Sequence, residues 1–92
     1  MGYSANSHIE SIKDVETFFH HLIDERKVNF HPDDDFAYYV SLKDHTPTFS
    51  DEEVAIYNRL MDESFEVCEK ASVDIYGIGM DEFQQLFEDK AA

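Results

Sequence analysis

Apolar residues recur along most of this chain with a period of about 3.6, the spacing of one face of an α-helix. The members of the first such stripe are Ile12, Val15, Phe19, Leu22 and Ile23. Charged and polar residues fill most of the positions between them. The pattern predicts an amphipathic helix over about residues 11–25, with Ser7 or Ser11 as its candidate N-cap.

The clearest helix start in the sequence is "FSDEEV", residues 49–54. Ser50 followed three residues later by Glu53 is the pattern of a capping box, and Phe49 with Val54 fits a hydrophobic staple. We predict a helix from this cap to about residue 71. Its broad apolar face would comprise Tyr57, Leu60, Met61, Ser64, Phe65, Val67, Cys68 and Ala71.

The segment "NFHPDDDFAYYV", residues 29–40, also has the composition of a helix start. Proline is favoured at the first helical position and carboxylates in the first turn, which fits Pro32 followed by three aspartates. Phe36, Tyr39 and Val40 would then share one buried face. The segment predicts a short helix around residues 32–41.

Near the C-terminus the pattern is interrupted by two glycines. Gly77 and Gly79 each cost about 1 kcal/mol in a helix interior relative to alanine, which favours a break after Tyr76. Residues 73–76 then form either a first helical turn or an extended link. A final helix would be capped by Asp81 or Gln84, with an inner face of Phe83, Leu86 and Phe87.

Together these segments predict an all-α fold, a small single-domain bundle of three main helices plus the short helix around residues 32–41. Ninety-two residues correspond to one domain, 1–92. We expect residues 1–8 to form a flexible N-terminal arm and residues 90–92 a flexible C-terminus.

The charge is strongly acidic, with 21 Asp and Glu against 7 Lys and Arg and a formal net charge of −14. Nucleic acids and anionic membranes are bound through Lys and Arg, so we expect no direct nucleic-acid binding and no membrane binding. A basic protein surface would be attracted over a long range. The candidate protein-binding acids lie away from the apolar face of the predicted helix after Ser50: Asp62, Glu63, Glu66 and Glu69.

A single cysteine, Cys68, excludes an intramolecular disulfide and a zinc site built from several cysteines. No stretch approaches the roughly 18 to 20 apolar residues of a membrane span. The first residues lack the basic and then apolar regions of a signal peptide. We therefore expect an intracellular, cytoplasmic protein.

The stretch from His31 to Asp35 is the strongest candidate for metal chemistry. Its metal candidates are His31, Asp33, Asp34 and Asp35. Adjacent aspartates on a helix diverge by about 100° each, and the stretch lacks the alternating acids, the glycine and the distal glutamate of an EF-hand. A zinc site assembled from His20 or His21 with His31 and an aspartate is a further hypothesis. The preferred interpretation is a solvated first turn of a helix, with no dedicated metal and no cofactor.

Catalytic motifs are weak in this sequence. Cys68 falls on an inner helix face, where burial raises a thiol pKa and disfavours the reactive thiolate. "YGIGMD" lacks the third glycine, the preceding strand and the basic residue of a phosphate-binding loop. We predict that the protein is not an enzyme.

The leading functional hypothesis is a non-enzymatic, acidic interaction or regulatory module that binds a basic protein surface. A narrower version is a nucleic-acid mimic, because the acids are spread through the whole chain. One alternative is a divalent-metal-binding or ligand-binding protein that uses the His31–Asp35 stretch. Another is a structural homodimer, since eight Phe and five Tyr are many for a core of this size.

Overall fold

The computed structural model of the protein describes residues 3–28, 30–40 and 45–91, and over 86–91 it describes the backbone alone. In these ranges the chain forms α1 (Ile12–His20), α2 (Asp51–Ala71) and α3 (Ile75–Ala91). α1 packs against both α2 and α3. No strand forms in the described ranges beyond one isolated antiparallel bridge between Val40 and Pro47. The predicted all-α fold is confirmed.

α1 begins at the second of the two predicted caps. The hydroxyl of Ser11 accepts a hydrogen bond from the backbone N–H of Asp14 at 3.2 Å. The helix continues after His20 as one π-helical turn, His21–Glu25, so the helical segment ends where the periodicity predicted. Val15, Phe18 and Leu22 are fully buried on its inner face.

α2 begins with the predicted capping box. The Ser50 hydroxyl accepts from the Glu53 N–H at 3.2 Å, and the Glu53 carboxylate accepts from the Ser50 N–H at 3.0 Å. The helix ends after Ala71 in a Schellman motif, in which Ser72 adopts a left-handed conformation and the Val73 N–H bonds to the Cys68 carbonyl at 2.9 Å. Within the predicted face, Phe65 and Val67 are only partly buried and Ala71 is exposed, whereas Ile56 is buried in addition.

The short helix predicted around residues 32–41 is wrong in its length. Of the described residues 32–40, only Phe36–Tyr38 is helical, as a single 3-10 turn, and Pro32 with the first two aspartates lies in the turn before it. Asp35 is the N-cap rather than a first-turn residue, since its carboxylate accepts from the Ala37 N–H at 2.8 Å. Val40, predicted to be buried, is exposed. An aspartate that caps the backbone two residues ahead competes with helix formation upstream, which shortens the element.

The predicted break in the C-terminal region is also wrong. No break follows Tyr76, because α3 starts at Ile75 and continues through both glycines. Its first turn is capped by Asp74, whose carboxylate accepts from the Tyr76 N–H at 3.1 Å, and not by Asp81 or Gln84. Ile75 and Ile78 are buried, and this packing offsets the glycine cost. Phe83 is partly buried as predicted, whereas the side chains of Leu86 and Phe87 lie outside the described residues.

The core is organised around Tyr57 of α2, which is 1% exposed. Its ring is in edge contact with five rings from the preceding chain: Tyr3, Phe18, His21, Phe36 and Phe49. Edge-to-face aromatic pairs of this kind contribute about 0.5 to 1.5 kcal/mol each beyond burial of their area. These five rings therefore contribute to the packing of the core around Tyr57.

Residues 3–8, predicted to belong to a flexible arm, pack onto the bundle. The Tyr3 ring lies 5.3 Å from the Phe18 ring, centroid to centroid. Arg59 donates to the backbone carbonyls of Ser4 and Ala5 at 3.4 and 3.3 Å. At the other end of the chain, α3 extends to Ala91, and residue 92 lies outside the described residues.

None of the helices, within the part of the chain that is described, has the length and apolar character needed to cross a membrane.

Replacing Ser50 with alanine tests the start of α2. The Ser50→Ala variant should lose about 0.5 to 2 kcal/mol of unfolding free energy, because the Glu53 N–H loses its acceptor. Urea unfolding followed by circular dichroism measures this, with Glu66→Ala, at an exposed position of the same helix, as the control. A midpoint and slope equal to those of the wild type would show that the capping box contributes nothing.

Candidate functional site

The acidic segment is held in place by its apolar neighbours and by one asparagine. Phe30 packs on Phe19 of α1 at 4.8 Å between ring centroids. The Asn58 side chain donates to Asp35 at 3.0 Å and accepts from the Phe36 N–H at 3.1 Å. Pro32 between these anchors is buried. The segment is thereby fixed against α1 and α2.

The three aspartates contact three different groups. Asp33 accepts from the Tyr76 hydroxyl at 2.7 Å and Asp34 from the Tyr39 hydroxyl at 3.2 Å, while Asp35 caps the 3-10 turn. Burial, together with the charge of Asp34, raises the pKa of Tyr39 to about 12. The Tyr39 phenol therefore remains a hydrogen-bond donor over the whole physiological range. Each of the three carboxylates therefore accepts a hydrogen bond from a different donor within the protein.

The metal candidates do not converge on one point. In the described part of the chain, no group of three or more His, Cys, Asp or Glu side chains is placed to hold a metal ion. The His31 ring accepts from the Asp33 N–H at 3.2 Å and lies 5.7 Å from the Tyr76 ring. The charged neighbours of His20 are instead Glu82 at 3.6 Å and Asp24 at 3.9 Å.

An apolar groove of about 250 Å³ opens between the acidic segment and α3. Its lining residues are Phe30, His31, Pro32, Tyr76, Gly79, Met80 and Phe83. Met80 is 65% exposed at its edge. Sequence analysis missed this groove because Tyr76 and Met80 share one face only if the helix runs through Gly77 and Gly79.

An acidic groove lies directly beside the apolar groove and shares Pro32 with it. Its lining residues are Pro32, Asp33, Asp34, Asp35, Asn58, Met61, Asp62 and Phe65. The Asp33–Tyr76 hydrogen bond and the Phe65–Tyr76 ring contact at 6.3 Å mark the boundary between the two grooves. No Lys or Arg of the described residues lines either groove.

The four candidate acids of α2 have different surroundings. Asp62, Glu66 and Glu69 are exposed. Asp62 lines the acidic groove, whereas Glu66 lines a different groove together with Glu63 and Lys70. Glu63 accepts from the Ile9 N–H, next to the N-terminal arm, at 2.8 Å and from Arg59 of the same helix at 2.6 Å. Although burial opposes ionisation, these hydrogen bonds leave the pKa of Glu63 lowered. Glu63 is thus engaged within the protein itself.

A polar cluster in the core connects α1 to α2. His21, 5% exposed, has Nε2 at 2.8 Å from the Tyr57 hydroxyl and Nδ1 at 3.1 Å from the Glu25 carboxylate. The hydrogen bond from His21 lowers the pKa of Glu25, so an ionised carboxylate accepts at Nδ1. Neutral His21 then carries its proton on Nδ1 and accepts from Tyr57 at Nε2. The spacing of His21 and Glu25, one helical turn apart, was a signal for this pair that sequence analysis did not use.

Cys68 is buried on the inner face of α2, as predicted. Burial and the nearby Asp74 charge raise the pKa of its thiol. A buried, protonated thiol packs as a small apolar side chain.

The metal hypothesis predicts that added metal ions raise the Tm of the protein. A ligand at about 100 times its Kd stabilises the folded state by about 2.7 kcal/mol. In a domain of this size that corresponds to more than about 10 °C in Tm. We expect Zn²⁺, Mg²⁺ and Ca²⁺ in excess to leave the Tm nearly unchanged in calorimetry. A large shift that disappears in the Asp33→Asn or His31→Ala variant would establish a metal site.

The His21 cluster predicts a specific pH dependence of stability. Burial lowers the pKa of His21 below its ordinary value of 6.5, against the hydrogen bond and charge of Glu25, while Arg26 lowers it further. The unfolded chain therefore takes up this proton first, so the free energy of unfolding should decrease as pH falls below about 6.5. Above about pH 6.5 His21 is neutral in both the folded and the unfolded chain, so its protonation no longer lowers the free energy of unfolding. Urea unfolding between about pH 7.5 and pH 5.5 should give a shallower pH slope for His21→Gln than for the wild type. Equal slopes would show that His21 titrates alike in both states.

Comparison of the chain with protein-family models, with curated proteins and with solved structures finds no match in any of the three.

Proposed function

We propose that this protein is a non-enzymatic interaction module that binds a basic surface of another protein. The contact surface consists of the acidic groove and two further exposed acids of α2, Glu66 and Glu69. The observation that carries the proposal is the acidic groove, in which four aspartates line one concave surface without a described Lys or Arg among them.

The pairing of the basic residues supports this proposal. Arg26 is held by Glu53 at 2.8 Å and Arg59 by Glu63 at 2.6 Å, both away from the acidic groove. Lys27 lies 3.9 Å from Asp24. These three cations are therefore engaged by acids of the same chain, whereas Lys70 lines a different groove from the acidic one. The formal net charge of the protein is −14.

Electrostatics of this kind favours fast and selective association. A surface with one sign of charge raises the rate of encounter with an oppositely charged partner and disfavours partners of like charge. Dissolved ions screen exposed charges beyond about 8 Å at physiological ionic strength, so the attraction should weaken as salt is added.

Charge reversal in the acidic groove tests the proposal. Asp62→Lys should abolish capture of basic proteins from a native lysate, whereas Glu16→Lys on α1 should not. Both substitutions change the net charge equally and replace exposed residues. Captured proteins are identified by mass spectrometry at low and high salt, and circular dichroism verifies that both variants fold.

If the amount of captured protein changes neither with salt nor with the Asp62→Lys substitution, the proposal is contradicted and binding is assigned to apolar contacts. If the captured proteins are nucleic-acid-binding proteins that DNA displaces, the narrower mimicry hypothesis is supported.

A further inference from the structure

We propose that the apolar groove binds one large apolar side chain, Leu or Phe, from the same basic segment that contacts the acidic groove. This inference rests on the proposed function and specifies its partner as an apolar anchor residue flanked by Lys or Arg.

The size of the groove favours a single side chain. Its volume of about 250 Å³ is below the roughly 300 to 1,000 Å³ of typical small-molecule sites. Buried apolar side chains in well-packed pockets are the contacts that commonly dominate binding energy at protein interfaces. The groove therefore fits an anchor residue better than a cofactor.

The walls of the groove combine rigid and adaptable side chains. Pro32 is buried, and Tyr76 is fixed by its hydrogen bond to Asp33 and by its contact with the His31 ring. Met80 at the edge is flexible and polarizable, so it can adjust to the shape of an incoming side chain. One wall is thus preorganised and the other adapts.

Charge complementarity determines what flanks the anchor. Because the two grooves share Pro32, a chain that leaves the apolar groove on this side meets Asp33 and Asp34 within a few residues. Cationic side chains next to the anchor would be favoured there. Arginine has an additional contact available, since the aromatic side chain of Phe65 lines the acidic groove.

The same argument disfavours a second copy of this chain as the occupant. A second copy also carries a net charge of −14, and joining two acidic surfaces is electrostatically unfavourable. Exposed apolar residues outside the groove, such as Tyr38 and Val40, are not part of its lining.

The first test selects ligands from a random peptide library displayed on phage, with the intact wild-type protein as bait. We expect enriched peptides to carry Leu or Phe next to Lys or Arg. Enrichment of basic peptides without a large apolar residue would overturn this inference but leave the proposed function intact. Enrichment of neutral or acidic peptides would overturn both.

The second test separates apolar anchoring from charge. Met80→Glu makes the apolar groove polar and adds a negative charge, so pure charge attraction would strengthen binding of a basic peptide. We expect instead at least a tenfold loss of affinity for a selected peptide, measured by fluorescence anisotropy, because the buried apolar contact is lost. The matched control is Tyr38→Glu, which removes a side chain that is 78% exposed and lies outside the groove.

A peptide whose anchor is replaced by alanine should bind the wild type at least tenfold more weakly and be insensitive to Met80→Glu. Equal affinities of Met80→Glu and Tyr38→Glu, with unchanged folding by circular dichroism, would overturn the inference. So would a wild-type dimer in sedimentation equilibrium that Met80→Glu converts to a monomer, since the groove would then bind a second copy.

Discussion

The burial of Tyr57 with its hydroxyl bonded to His21 is the constraint on which the rest of the structure depends. A buried phenol must have a hydrogen-bond partner, and the neutral imidazole provides an acceptor at 2.8 Å. Around this bond, rings from the N-terminal arm, α1, the 3-10 turn and Phe49, which precedes the Ser50 cap, surround the Tyr57 ring. One buried side chain of α2 is thus the common contact of these four rings.

That arrangement also positions the surface proposed as the binding site. The 3-10 turn is fixed to Tyr57 through Phe36, and Asn58, the next residue of α2, holds the aspartate before it. The Schellman turn after α2 brings Tyr76 to Asp33, so that the acidic segment is held from two helices. Two grooves of different chemistry are consequently joined at Pro32.

Acidic residues have two roles in this protein, and their surroundings separate them. Glu25, Glu53 and Glu63 pair with neighbouring histidine or arginine side chains, and hydrogen bonds lower the pKa of each. Asp62 and Glu69 have no such contact among the described residues and face solvent on α2. The first group stabilises the fold, while the second supports the proposed attraction of a basic partner, for which the apolar groove adds specificity.

The sequence by itself determined the all-α class, the start and end of α2 and the burial of Cys68, because these follow from local spacing and local hydrogen bonds. It limited the cap of α1 to Ser7 or Ser11, and the structure selects Ser11. It misplaced the start of α3, since the burial of Ile75 and Ile78 outweighs a glycine cost that is local. The sequence identified the three adjacent aspartates and the acids of α2, but not the hydrogen-bond donors that contact some of them. Both grooves, and the engagement of Glu63 by Ile9, were decided only by the tertiary structure, because they join residues that are distant along the chain.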